Sequence, residues 1–235
     1  MMKRASLLLL LLALSQPAFA QTVDMESAPV VRRPITWRTH RSELMPTLGI
    51  TINDPYIRNF IVSVGYNYHV TDWLSFGASA GWAFPIKTGL ADDIEAEKKQ
   101  TGKSYPVPAT HLGLMANAHV GVVPLFGKVL LLGTTAISYD LHLVAGFGMV
   151  QVRWNADAAS RINAEDSFKP APVLGGGLRF FVDRGVAVNF EVLDYLAKMS
   201  VVAPDYEVQQ ETWTNNVAAL LSFSIMMPSE TTYEE

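Results

Sequence analysis

The feature that most constrains this chain is alternation. Large apolar residues recur at every second position through segment after segment. A period of two is that of a β-strand whose two faces meet different surroundings. In 60–69, Phe60, Val62, Val64, Tyr66 and Tyr68 alternate with Ile61, Ser63, Gly65, Asn67 and His69. In 74–84, Leu74, Phe76, Ala78, Ala80, Trp82 and Phe84 alternate with Ser75, Gly77, Ser79, Gly81 and Ala83. In 111–122, Leu112, Leu114, Ala116, Ala118, Val120 and Val122 share one face, and His111, Gly113, Met115, Asn117, His119 and Gly121 the other. The pattern returns in 137–149, 174–182, 186–192 and 217–225, and a weaker strand, 43–53, comes first. These are eight strands of roughly nine to eleven residues, the length that crosses a bilayer when tilted.

The chemistry of the faces selects the architecture. One face stays apolar along nearly every strand. The other carries glycine, serine, asparagine, histidine and charge, a poor hydrophobic core. A soluble sandwich would bury the apolar face; a membrane barrel turns it to lipid and encloses the polar one. A closed barrel is also the only sheet a bilayer tolerates, because no edge is left unpaired. Composition agrees: 49% of residues are hydrophobic and only 17% charged, below the roughly 25% charge of soluble domains. No stretch after residue 20 has the ~18 consecutive apolar residues of a membrane helix. The expected fold is therefore all-β, an eight-stranded up-and-down transmembrane β-barrel over 43–228.

The flanks read differently. Lys3 and Arg4, the leucines at 7–12 and Ala18-Phe19-Ala20 form a signal peptide over 1–20, with a charged start, an apolar stretch and a small-x-small cleavage site. The expected location is the bacterial outer membrane, with outer-membrane lipid and other envelope proteins as partners. An N-terminal arm, 21–42, carries Arg32, Arg33, Arg38 and Arg41 around Trp37 and is a candidate periplasmic docking segment. An acidic tail occupies 229–235. Short turns fall at 70–73 and 183–185. Long loops are expected at 85–110, 155–171 and 195–214, the first a solvated segment of mixed charge. The stretch 124–135 reads as an unusually long periplasmic connection, with room for a helical turn at the interface.

The absence of cysteine excludes a disulfide scaffold, a thiolate metal site and a cysteine nucleophile. Low charge with a net of -4 argues against nucleic acid as a partner. On the polar faces, Arg179, Glu191, Asp140, His142, His119, Asn117 and Asn189 are expected to meet in the lumen. An eight-stranded barrel is just wide enough for its own side chains to fill, so these groups form either a plug or a narrow polar pathway. Catalysis finds little support. Ser138, Asp140 and His142 share a strand face, but same-face neighbours sit roughly 7 Å apart along a strand, beyond the reach a nucleophile and its base require. There is no G-x-S-x-G, H-E-x-x-H or nucleotide loop. The expectation is a non-enzymatic barrel without metal or cofactor, with a small pore or a lipid-modifying rim enzyme as the competing classes. Gly175-Gly176-Gly177 reads as a closely packed strand.

The order of several short motifs resembles the outer-membrane β-barrel domain family common in myxobacteria and related bacteria. They are Glu43-Leu44, Leu48-Gly49-Ile50 with Asn53-Asp54-Pro55, Tyr68-His69-Val70-Thr71, Pro124-Leu125-Phe126-Gly127-Lys128, Tyr139-Asp140 with Gly146-Phe147-Gly148, Gly177-Leu178-Arg179-Phe180-Phe181 and Asp194-Tyr195. The resemblance spans roughly 40–228. It departs at Leu193, where the family pattern has arginine, and at the end of the last strand, which lacks a terminal aromatic. It implies an outer-membrane barrel, and some members of the family look like outer-membrane parts of envelope-spanning machines, notably for gliding motility.

Overall fold

The computed structural model describes residues 38–101, 110–131, 135–154, 165–199 and 212–228. Eight antiparallel strands follow one another around a closed barrel. They are β1 (Arg41–Thr51), β2 (Ile57–His69), β3 (Leu74–Lys87), β4 (Thr110–Leu131), β5 (Thr135–Trp154), β6 (Ser167–Asp183), β7 (Val186–Met199) and β8 (Thr212–Met227). β8 closes on β1, for example through Leu48 opposite Leu221. The register can be followed around the wall from Arg41 through His69, Ser75, Gly121, Val144, Gly175, Leu193 and Ala218. It returns to β1 at Thr51, ten residues above its start. A stagger of this kind tilts the strands by about 35–45° and fixes a narrow interior.

The outward positions form a continuous apolar belt. Leu48, Val64, Phe76, Phe147, Leu174, Phe190 and Leu221 are each about half exposed, and they are distributed around the whole circumference. A monomer in water rarely exposes a contiguous apolar patch beyond a few hundred Å². A belt that encircles a closed sheet is what a bilayer selects. The chain is thus a transmembrane β-barrel. No helix among the described residues is long and apolar enough to cross a membrane.

Three local expectations give way. First, the strands run further than the alternation indicated: β6 starts at Ser167 and β7 continues to Met199, taking in the end of one expected loop and the start of another. Second, the 85–110 loop contains a helix, α1 (Gly89–Thr101). Its first turn is anchored where the amides of Ala91 and Asp92 donate to the Thr88 carbonyl, while the Thr88 hydroxyl donates to the Pro55 carbonyl at 2.6 Å. Third, 124–131 is strand rather than a helical connection. β4 and β5 continue as a paired ribbon past the rest of the barrel, with Val129 opposite Ile137 and Leu131 opposite Thr135. Pro124 is accommodated because it lies inside the register shift between Val122 and Leu125, where its missing N–H removes no regular ladder bond.

A second register shift, between Leu112 and Met115, changes the phase of β4. Both of these residues are buried inside the barrel. The sequence pattern had placed Leu112 on the lipid face and His111 on the lumen face. The bulge reverses both, because one extra residue exchanges the faces of everything beyond it.

Candidate functional site

The buried polar side chains of the described residues gather in the lumen. It has two layers. At the end where β1 begins and β8 finishes, here the turn end, the inward positions are mostly charged or polar, with one small apolar cluster of Phe181, Ala187 and Met226. Towards the opposite, loop end a large apolar cluster dominates, joined by the buried polar residues Thr51, Asn59 and Thr110.

Arg179 on β6 holds the polar layer together. Its Nη2 lies 3.2 Å from Glu43 Oε2, its Nη1 lies 3.8 Å from Asp140 Oδ2, and its Nε donates to Asn189 Oδ1 at 3.0 Å. These partners come from β1, β5 and β7, so one guanidinium ties together strands that are not neighbours. Glu43 is fully buried and has the most partners. Besides Arg179, it is bonded to His69 Nε2 at 2.9 Å, to Asn67 Nδ2 at 3.2 Å and to the Ser224 hydroxyl. His142 spans two acids, with Nε2 2.8 Å from Glu191 and Nδ1 3.4 Å from Asp140. His119 bridges the side chains of Asn67 and Asn117, each at 2.9 Å. Asn117 also donates to Ser79 Oγ at 2.7 Å. Gly77 makes room for the His119–Asn67 contact, since a Cβ there would collide with Asn67 Oδ1 and His119 Nε2.

The seven lumen residues named from the sequence fall in this one layer. The acid with the most partners, Glu43, and the lid, Arg38, were not among them. Glu43 lies on the weakest strand, although it is in phase with its inward neighbours. Arg38 and Arg41, assigned from sequence to an exposed docking arm, are instead buried. Arg38 reaches up into the lumen and pairs with Asp140, and its guanidinium lies 5.9 Å from the Phe181 ring centre. The backbone amides of Arg38 and Thr39 both donate to Asp72 Oδ1, at 2.7 and 3.1 Å, which pins the turn across the mouth. His40 adopts φ 59° within that turn. Arg41 donates from Nε to the Pro228 carbonyl at 2.8 Å, tying the start of β1 to the end of β8. Arg32, Arg33 and Trp37 lie outside the described residues.

The apolar layer is larger than the expected mostly small or polar lumen face allows. Ile61, Leu112, Met115, Val150, Val173 and Leu193 pack with Leu220 and the ring of Tyr195 into one buried cluster. The Tyr195 hydroxyl sits at the boundary, 3.4 Å from Asn117 Nδ2. Large apolar side chains at the inward positions of adjacent strands fill the bore as a protein core does.

The chemistry open to this arrangement is limited. Ser222 and Ser224 donate to Glu191 and Glu43, not to a histidine. Asp140 and His142 do touch, as do Asn117 and His119. Side chains two apart on the concave wall lean together although their backbones are further apart. Ser138 has no bond to either Asp140 or His142 among the contacts described. In the glycine run, a Cβ at Gly175, Gly176 or Gly177 would strike the carbonyl oxygen of Val192, His142 or Phe190. These glycines serve strand packing. No group of three or more metal-ligating side chains suited to an ion occurs among the described residues.

The geometry defines a class: a small, closed membrane β-barrel whose bore is filled by its own side chains. No family model matches the chain, and no curated protein matches it. Solved structures similar in fold include the N-terminal β-barrel domain of Pseudomonas aeruginosa OprF, with a TM-score of 0.47 and 10% identity, covering 80% of this chain and 98% of that one. The attachment invasion locus protein Ail of Yersinia pestis has a TM-score of 0.40 and 11% identity, over 80% of this chain and 99% of that one. Neisserial surface protein A has a TM-score of 0.39 and 12% identity, over 79% and 93%.

Proposed function

We propose that this protein is a non-enzymatic outer-membrane barrel with a closed lumen, acting through its surfaces as a structural or interaction subunit of an envelope-spanning complex. The observation that carries the reading is the double closure of the bore. An ion entering from the turn end meets Arg38 and then the Glu43–Arg179–Asp140 cluster. Beyond that it meets the packed apolar layer around Leu112, Val150 and Val173. A bore lined in this way disfavours an aqueous path, so the reading puts the work at the rims, the loops or the segments outside the strands. In the periplasm, Arg32, Arg33 and Trp37 remain candidate docking residues, while Arg38 and Arg41 are committed to the barrel. The resemblance in motif order to the myxobacterial barrel family makes the gliding-motility machinery the first complex to test.

Two measurements on one preparation test this reading. In planar bilayers the purified barrel stays electrically silent; steady single-channel conductance would replace the subunit reading with a pore. From crosslinked cells, a barrel tagged after residue 235 brings down periplasmic and inner-membrane proteins; recovery of the folded barrel alone would remove the complex.

A further inference from the structure

Past the turn-end rim, the β4–β5 ribbon continues beyond its neighbours. β3 accompanies β4 only as far as the pair Leu74 and Val122, and β6 meets β5 only from the pair Ser138 and Phe181. The ribbon itself goes on to Leu131 opposite Thr135. One of its faces continues the lipid-facing row of the barrel. Leu141, Tyr139 and Ile137 follow Leu143 along β5, and opposite them stand Leu125, Gly127 and Val129. Leu125 and Val129 are exposed, and so are Phe126 and Leu130 on the other face. A two-stranded ribbon with large apolar side chains on both faces is an aggregation hazard in water.

We propose that this ribbon lies in the headgroup–acyl boundary of the leaflet at the turn end, so that lipid covers it. Three observations favour lipid. The outer face of the ribbon is continuous with the belt that already meets lipid. Trp73 and Tyr139, whose amphipathic rings suit the membrane interface, stand where the ribbon leaves the barrel. Finally, two strands cannot close on themselves, so the ribbon is excluded from the hydrocarbon centre; the boundary, where water and headgroups reach the backbone, is the depth it can occupy. On this side the lipid-contacting surface is therefore taller than elsewhere, and the barrel tilts or thickens its leaflet to match. The inference rests on the barrel spanning a membrane and not on the lumen being closed.

The chain has no cysteine, so single labels report cleanly. Val129→Cys, with Phe126→Cys as its replacement should it fail to fold, carries an environment-sensitive NBD fluorophore. Val62→Cys in the belt and Arg184→Cys in the β6–β7 turn are the references. The barrels are reconstituted in phosphatidylethanolamine–phosphatidylglycerol vesicles containing phosphatidylcholine spin-labelled on the upper acyl chain. The expected result is a blue-shifted label at 129 that loses fluorescence to the lipid spin label as position 62 does and resists aqueous iodide, while 184 shows the reverse. If 129 behaves like 184 while 62 stays lipid-quenched, the ribbon is in water and the proposal fails. If 62 is not quenched either, the membrane-spanning reading falls and takes the proposal with it.

Discussion

The two halves of the lumen fill the same bore by different physics. At the loop end, Leu112, Val150 and Val173 are held by many small contacts, each nearly independent of the next. At the turn end a few groups share partners: Arg179 serves Glu43, Asp140 and Asn189, and Glu43 serves Arg179, His69, Asn67 and Ser224. An apolar layer loses what is removed from it, plus the cost of the void. A charged layer also loses the compensation of whatever stays behind, since an unpaired buried charge is costly in proportion to its isolation. The halves should therefore break differently.

The largest effect belongs to the hub. Arg179→Ala leaves two buried carboxylates without their common cation, and the expected destabilisation is about 3–5 kcal/mol. It is measured by urea unfolding in lipid vesicles. A loss below about 1 kcal/mol would mean that the layer is solvated and behaves like a surface ion pair. Next comes the apolar layer. Leu112→Ala removes a side chain that is 0% exposed, at an expected cost of about 2–5 kcal/mol in the same assay. Combined, the two substitutions should add, because they lie in different layers and share no partner. Strong coupling between them would show that the bore is one cooperative unit and erase the distinction.

The same contrast explains what could be read from the chain. The barrel was legible because a period of two, sustained over eight segments, allows few other solutions. Asp140, His142, Asn117, His119, Arg179, Asn189 and Glu191 were legible as lumen residues because they are polar groups in phase with strands of strong alternation. The apolar layer was half hidden: the bulge after Leu112 exchanges the faces of β4, and bulges leave no periodic mark. Glu43 was obscured by the weakness of the β1 pattern. Arg38 could not be read at all. It precedes β1, and its place is set by a turn pinned to Asp72 and by an ion pair with Asp140, a residue over a hundred positions away. Neither contact has a local signature.

Arg38 is where the comparison can be sharpened most finely. It belongs to the charged layer, yet it reaches the bore from outside the strands, and its partner Asp140 keeps Arg179 and His142 as neighbours. Arg38→Ala should therefore cost less than Arg179→Ala, about 1.5–3 kcal/mol, the range for a hydrogen bond to a charged group. Because the apolar layer still closes the loop end, the variant barrel should stay electrically silent in planar bilayers even with its turn-end mouth unblocked. A destabilised but silent variant would assign the two halves separate duties: the charged layer fixes the turn that carries the N-terminal segment, and the apolar layer seals the membrane. A conducting variant would move the seal to the single side chain of Arg38, and the apolar layer would then be a lining rather than a plug.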